Sequence, residues 1–251
     1  MKAVLMILEG PSDDTALAGP ISALLKELSV KTFVVHGDIT SKIPDHLDHK
    51  SDDVVKVVNE IFKKHLHESK LKISDFVAVF LLTDLDGIYL DPGRIKEDQD
   101  LKKPLYDERS IRHFSKGKIK DRNDKKKKNI SNLLRRCSAL SYRGYKVPFY
   151  VFFMSCNLEH ALFNSFNCSN TDKEKLAYDF HGKYDSNPQE FYKFLQSLMP
   201  KFIANGTQAS SVAYDLYLAS WKAVEQINDR IPRSSNLALI KKLATDLESK
   251  S

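Results

Sequence analysis

Glu9 in ILEGPSDD and Asp84 and Asp86 in LLTDLDG each stand where an apolar run gives out. The runs AVLMIL (3–8) and FVAVFLLTD (76–84) read as buried strands, so these carboxylates fall at strand ends. In open parallel sheets, side chains at the carboxyl ends of neighbouring strands meet in one crevice, and ligands bind there. Carboxylates gathered in a crevice repel one another unless a cation sits between them, and hard oxygen donors suit Mg²⁺ or Mn²⁺. Such an ion polarises a phosphate and makes water a better nucleophile. Asp84 and Asp86 are two residues apart, which on an ideal strand turns both to the same side. Gly10, next to Glu9, leaves room for a phosphate to approach the backbone.

The elements that must position these acids follow from the pattern around them. After the first strand, SDDTALAGPISALLKEL predicts a helix with Ser12 as N-cap and Asp13 and Asp14 in its first turn, started late or kinked by Pro20. TFVVHG (32–37) predicts a second strand, 38–50 a polar loop, and 52–68 an amphipathic helix. The continuous β-branched and aromatic run at 76–84 suits a central parallel strand covered on both faces. Residues 87–128, rich in charge and broken by Pro92, Gly93, Pro104 and Gly117, read as an insertion over the crevice. A helix is predicted over 129–144 and a further strand over 147–155; past 156 only helices are expected. The alternation of strands and helices predicts an α/β fold, a parallel Rossmann-like sheet flanked by helices. Its domain would span 1–165, with a helical extension over 166–251.

Composition narrows the class. With 251 residues, 42% hydrophobic and 29% charged, the chain can bury one good core. No apolar run is long enough to span a bilayer, so no membrane partner is expected. MKAVLMILEG is too short in its apolar part for a signal peptide and reads as the first strand. Three cysteines without a CxxC pair point to free thiols in a reducing compartment, hence a cytoplasmic protein. The net charge of +6 favours anionic partners. It is concentrated in KGKIKDRNDKKKK, where Lys116, Lys118, Lys120, Arg122, Lys125, Lys126, Lys127 and Lys128 form a candidate nucleic-acid-binding patch. Tyr106 and Arg109, in the same insertion, are candidates for stacking on or gripping nucleotides.

A strand ending in Glu-Gly followed by a later strand ending in Asp-x-Asp resembles the TOPRIM domain of topoisomerases, bacterial primases and several nucleases. ILEGPSDD is most similar to TOPRIM nucleases of the overcoming-lysogenization-defect class, and SCNLEHAL is similar to the corresponding segment of RloB-like antiphage proteins. The resemblance covers about residues 1–165. It implies a nuclease with Mg²⁺ or Mn²⁺ held by Glu9, Asp84 and Asp86, with Asp13, four residues after Glu9, and Glu159 in support. It implies an antiphage or abortive-infection effector that cleaves DNA or RNA. The family's lysine near the scissile phosphate would be Lys183 or Lys201. The chain has no GxxxxGK[ST] phosphate loop, so a regulating ATPase is expected as a separate partner. The C-terminal helices could hold a homodimer or dock that partner.

Plainer readings stand beside these. Glu9, Asp84 and Asp86 could be solvated strand-end acids, Asp13 and Glu159 first-turn helix acids, and the lysine run a solvated loop. His46 and His49 read as surface-loop residues, His160 as a partly buried helix histidine, and Trp221 as core. A non-catalytic TOPRIM-like binding or scaffold protein is one alternative function. A Mg²⁺-dependent phosphatase or phosphotransferase is another, since DLDG resembles haloacid-dehalogenase-type enzymes, although those have a nucleophilic aspartate where this chain has Glu9.

Overall fold

The computed structural model describes residues 2–41, 53–201 and 212–249. The chain begins with strand β1 (Lys2–Leu8), whose residues from Ala3 to Leu8 have no exposed surface. A short helix α1 (Pro11–Asp13) follows, then a π-helical turn over Asp14–Ala18, then α2 (Gly19–Lys26). The wide turn falls just ahead of Pro20, which lacks an N–H and cannot continue an ordinary i→i−4 ladder, so the helix passes the proline without breaking. Strand β2 (Val30–His36), helix α3 (Val54–Ser69) and strand β3 (Phe76–Asp84) come next.

The 87–128 stretch is more ordered than its composition suggests. It contains strands β4 (Ile95–Glu97), β5 (Leu105–Tyr106) and β6 (Ile111–His113), which make a small sheet in the order β4-β6-β5. The lysine run that follows is not a loop. It forms the first half of α4 (Lys116–Arg136), capped by the Ser115 hydroxyl accepting from the Lys118 N–H. The helix expected over 129–144 therefore starts earlier and stops earlier. The chain then enters a hairpin of β7 (Ala139–Tyr142) and β8 (Tyr145–Met154), turned by Arg143 and Gly144, both at positive φ.

The main sheet has the order β2-β1-β3-β8-β7. The first four strands are parallel, and β7 pairs antiparallel with β8 at the edge. From β1 the chain crosses to β2 on one side and reaches β3 on the other, so the strand order reverses at β1. That reversal is the topological switch point where α/β sheets open a crevice.

Helices α5 (Leu158–Phe163), α6 (Asn170–Tyr184), α7 (Pro188–Ser197), α8 (Ala213–Glu225) and α9 (Leu239–Glu248) complete the chain. They share the hydrophobic core of the sheet: Phe180, Phe191, Trp221 and Ile240 are buried together with Leu5, Phe80 and Phe152. Helix α2 packs against α6, α7 and α9, while α3 packs against α4 and β7. The chain is thus a mixed α/β protein with a mostly parallel central sheet flanked by helices. No helix among the described residues is long and apolar enough to cross a membrane.

Candidate functional site

At the switch point the acids that end β1 and β3 come together. Glu9 follows β1 directly, and four donors converge on its Oε1. These are the Thr83 hydroxyl, the Thr40 hydroxyl at 3.2 Å, the Asp84 N–H at 3.2 Å and the Lys126 ammonium at 3.2 Å. Thr40 is fixed in turn by Thr83, 3.1 Å away, and its carbonyl accepts from Asn129 of α4 at 2.9 Å. Residue types that look incidental in the sequence, two threonines and an asparagine, orient the first carboxylate.

Asp84 is the last residue of β3, and its Oδ1 is closed off from solvent with no hydrogen-bond partner among the described residues. Asp86 lies past the strand end at φ 51°, in the left-handed region, so the alternation expected of a continued strand does not apply to it. The backbone there is tied to the end of β8: Leu85 N–H donates to Met154 at 3.0 Å and Asp86 N–H to Cys156 at 2.7 Å. The Asp86 carboxylate accepts from Lys126 at 2.7 Å and from the Tyr106 hydroxyl at 3.3 Å. Arg122 braces the same turn, donating to the Asp86 carbonyl at 3.1 Å and to Tyr106 Oη at 2.8 Å. Tyr106 is itself held by both ends of the Asn167 amide.

Lys126 departs from the nucleic-acid-binding patch expected of its run: its side chain has no exposed surface. Helix α4 turns a stripe of Ile119, Asn123, Lys126, Ile130 and Leu133 inward at helical spacing, and Lys126 occupies the position that faces the acids. Arg122 is partly buried beside it, also off the solvent face. Lys116, Lys118, Lys120, Lys125, Lys127 and Lys128 are exposed. Lys118 and Lys127 lie over the rings of Phe114 and Tyr89. Ile119, Ile130 and Leu133 set the phase in which Lys126 falls on the inner face, but with Asn123 and Lys126 between them the apolar period is too weak to stand out in the sequence.

Asp13 and Glu159 complete the acidic edge. Asp13 is buried and its Oδ2 accepts from the Gly10 N–H at 3.0 Å, so Gly10 rather than Ser12 caps this helical run. Glu159, in α5 just past β8, is 3% exposed and pairs with Lys173 of α6 at 3.0 Å. Lys183 is exposed near the end of α6, over the Tyr184 ring, and Lys201 lines a separate cavity described below. Among the described residues, the cations paired with the edge carboxylates are Lys126 and Lys173, not Lys183 or Lys201. Arg109 is exposed. His46 and His49 lie outside the described residues.

The electrostatics follow from burial and crowding. Burial raises the Glu9 carboxyl above its ordinary range, with Lys126 opposing and Asp38 and Asp86 reinforcing the shift. Burial, with the charges of Glu9 and Asp13, pushes Asp84 well up. Asp13 is raised to about 7, chiefly by burial and then by Glu9. Asp86 goes the other way: burial is outweighed by Lys126 and Arg122, which hold it ionised. Burial also works against the Lys126 charge, but Asp86, Glu9 and Asp84 together keep the ammonium protonated.

The carboxylates on one side of this site are of the donor type that a hard divalent ion takes. Asp84 Oδ1 is a hard oxygen donor without a partner among the described residues, and the Glu9 and Asp13 carboxylates stand near it. In the arrangement seen, however, no three His, Cys, Asp or Glu side chains among the described residues form a group that could hold a metal ion. Asp86 is engaged by Lys126. In front of Gly10 the space is open, and a Cβ there would meet no atom within 4 Å.

Compared with protein-family models, with curated proteins and with solved structures, the chain finds no match.

Proposed function

We propose that this chain is a TOPRIM-type nuclease that cleaves phosphodiester bonds in DNA or RNA with Mg²⁺ or Mn²⁺ at the Glu9–Asp84 edge. One observation carries the reading. Glu9, Asp13, Asp84 and Asp86 gather at the topological switch point of a parallel sheet with a single fully buried ammonium, Lys126, among them. The order of the motifs, Glu-Gly after one strand and Asp-x-Asp after another, supports the family resemblance.

Glu9 and Asp84, with Asp13, would hold the ion, which when bound supplies phosphate polarisation and a more acidic water. Lys126 stands ready to meet the charge that builds on the phosphate oxygens, in a site dry enough for that contact to count. Asp86, Tyr106 and Arg122 fix the ammonium in place. The exposed lysines occupy the solvent face of α4, roughly one helix diameter (about 10 Å) from Lys126. There they would draw in the nucleic-acid backbone. An antiphage role under a partner ATPase rests on the resemblance alone. It is tested by whether protection against phage requires a neighbouring ATPase gene.

The direct test is cleavage of plasmid DNA, single-stranded DNA and bulk tRNA with Mg²⁺, Mn²⁺ or EDTA. Metal-dependent cleavage by the wild type that disappears in Glu9→Gln and Asp84→Asn is the expected result. A second reading, a TOPRIM-like binding module without turnover, draws on the way Lys126 already neutralises Glu9 and Asp86. Tight nucleic-acid binding with no cleavage under any of these conditions would favour it.

A further inference from the structure

A cavity of about 540 Å³, within the size range of small-molecule sites, lies against α5 and has no residue of the acidic edge in its lining. Glu159 looks to the edge through Lys173, whereas the next residue, His160, lines the cavity. Its apolar wall is made by Phe166, Val224, Ile227 and Ile231. Phe166 stacks on His160 with ring centroids 3.8 Å apart and planes 19° from parallel, so the wall presents a fixed aromatic pair. Lys201, Arg230 and Arg233 bring positive charge to the same cavity, and among the described residues of its lining Glu108 is the one acid.

The walls are built rather than loose. Arg233 is locked by two hydrogen bonds of 3.0 Å to the carbonyls of Ala161 and Leu162 at the end of α5. The strap that carries Pro232 to Asn236 is stitched to the end of β8: Ser155 N–H donates to the Ser234 carbonyl at 2.9 Å and Phe153 N–H to the Asn236 side chain at 2.8 Å. His160 Nδ1 is 3.1 Å from the Ser155 carbonyl, which fixes the ring. Within this ordered frame, the Ser234 hydroxyl is buried with no hydrogen-bond partner among the described residues. Native structures rarely leave such a group unmet.

We infer that this cavity binds a small ligand that joins a phosphate group to a flat, largely apolar body, a nucleoside monophosphate being the simplest chemical example. Guanidinium groups suit phosphate oxygens, and an aromatic pair with aliphatic neighbours suits a base. The observations behind this are independent of the nuclease reading, since none of the residues involved belongs to the acidic edge.

Isothermal titration of the full chain with AMP, adenosine and inorganic phosphate, without divalent metal, tests the inference. AMP is expected to bind saturably, with adenosine and phosphate each at least tenfold weaker. Arg230→Glu, at an exposed position, is expected to weaken AMP at least tenfold, and Ile227→Trp, which fills the wall without changing charge, to do the same. Glu9→Gln is expected to leave AMP affinity within twofold. No saturable AMP binding, phosphate binding as well as AMP, or indifference to both cavity variants would overturn it. So would loss of AMP binding in Glu9→Gln, which would place the ligand at the acidic edge.

Discussion

A lysine with no exposed surface keeps its charge only where nearby groups, usually carboxylates, offset the cost of burial. Lys126 meets that condition through Asp86 and Glu9, and the pairing makes a stability prediction. Lys126→Met keeps the length of the side chain and removes its charge, leaving two buried acids short of a cation. The loss should be about 3–5 kcal/mol at pH 8 and smaller at pH 5, where the orphaned carboxylates can take up protons. Urea unfolding at the two pH values measures both; equal losses would mean that the ammonium does not neutralise these acids. Asp13 gives a test of opposite sense. Its folded pKa, about 7, lies above the ordinary 3.8, so the folded state holds the proton longer. Its contribution is therefore most favourable below about pH 4 and is lost as pH rises through 7. Asp13→Asn, which can still accept from Gly10, should stabilise the protein at pH 8 by on the order of 1–4 kcal/mol and leave it unchanged at pH 4. Glu9, Asp84 and Asp86 are legible in the sequence because each follows an unmistakable apolar run. Lys126 is not, because its neighbours Lys125, Lys127 and Lys128 make the whole run look solvated.

At the scale of elements, the interior strands are the legible part and the insertion is not. Strands β1, β3 and β8 are long and apolar because both faces are covered, and that pattern survives without knowledge of the fold. Strands β4, β5 and β6 are two or three residues each, too short for any alternation to register. Helix α4 has an inner stripe diluted by Asn123 and Lys126, which erases its apolar period. The turn after β3 rests on Gly87, at φ 70°, where an added Cβ would stand 2.9 Å from Ile111 Cδ1. Gly87→Ala should cost about 1–3 kcal/mol and displace Asp86 with it. Gly10 is the contrast, with extended φ of −153° and open space before it. Gly10→Ala should leave the melting temperature nearly unchanged while lowering cleavage, if a phosphate passes there. Thermal denaturation of the two variants separates a glycine needed for folding from one needed for access. On α4, replacing the exposed Lys116, Lys118 and Lys120 by glutamine should weaken nucleic-acid binding and flatten its dependence on salt, because fewer counterions are released. An unchanged salt slope in a binding titration would remove this face from the interface.

For the whole molecule, the helices after residue 156 are readable one by one, but their relation to the sheet is not. Nothing local in Trp221 or Phe191 announces that they bury against the same core as β1 and β3. The acidic edge likewise becomes a site only when the strand order β2-β1-β3-β8 brings residue 9 beside residue 84. An excess of buried carboxylates over cations means that an added divalent ion should stabilise the fold. Millimolar Mg²⁺ should raise the melting temperature of the wild type and not that of Glu9→Gln or Asp84→Asn; equal shifts in all three would mean that the ion binds elsewhere. On the proposed function, Lys126, Glu9 and Asp84 form one phosphodiester-cleaving centre. The most direct measurement compares the single-turnover cleavage rate of Lys126→Met with that of Lys125→Met, its exposed neighbour, on whichever nucleic acid the wild type cuts. A loss of a hundredfold or more in Lys126→Met, with Lys125→Met within a few-fold of wild type and both folded by circular dichroism, is the predicted result. Equal rates in the two variants would contradict it.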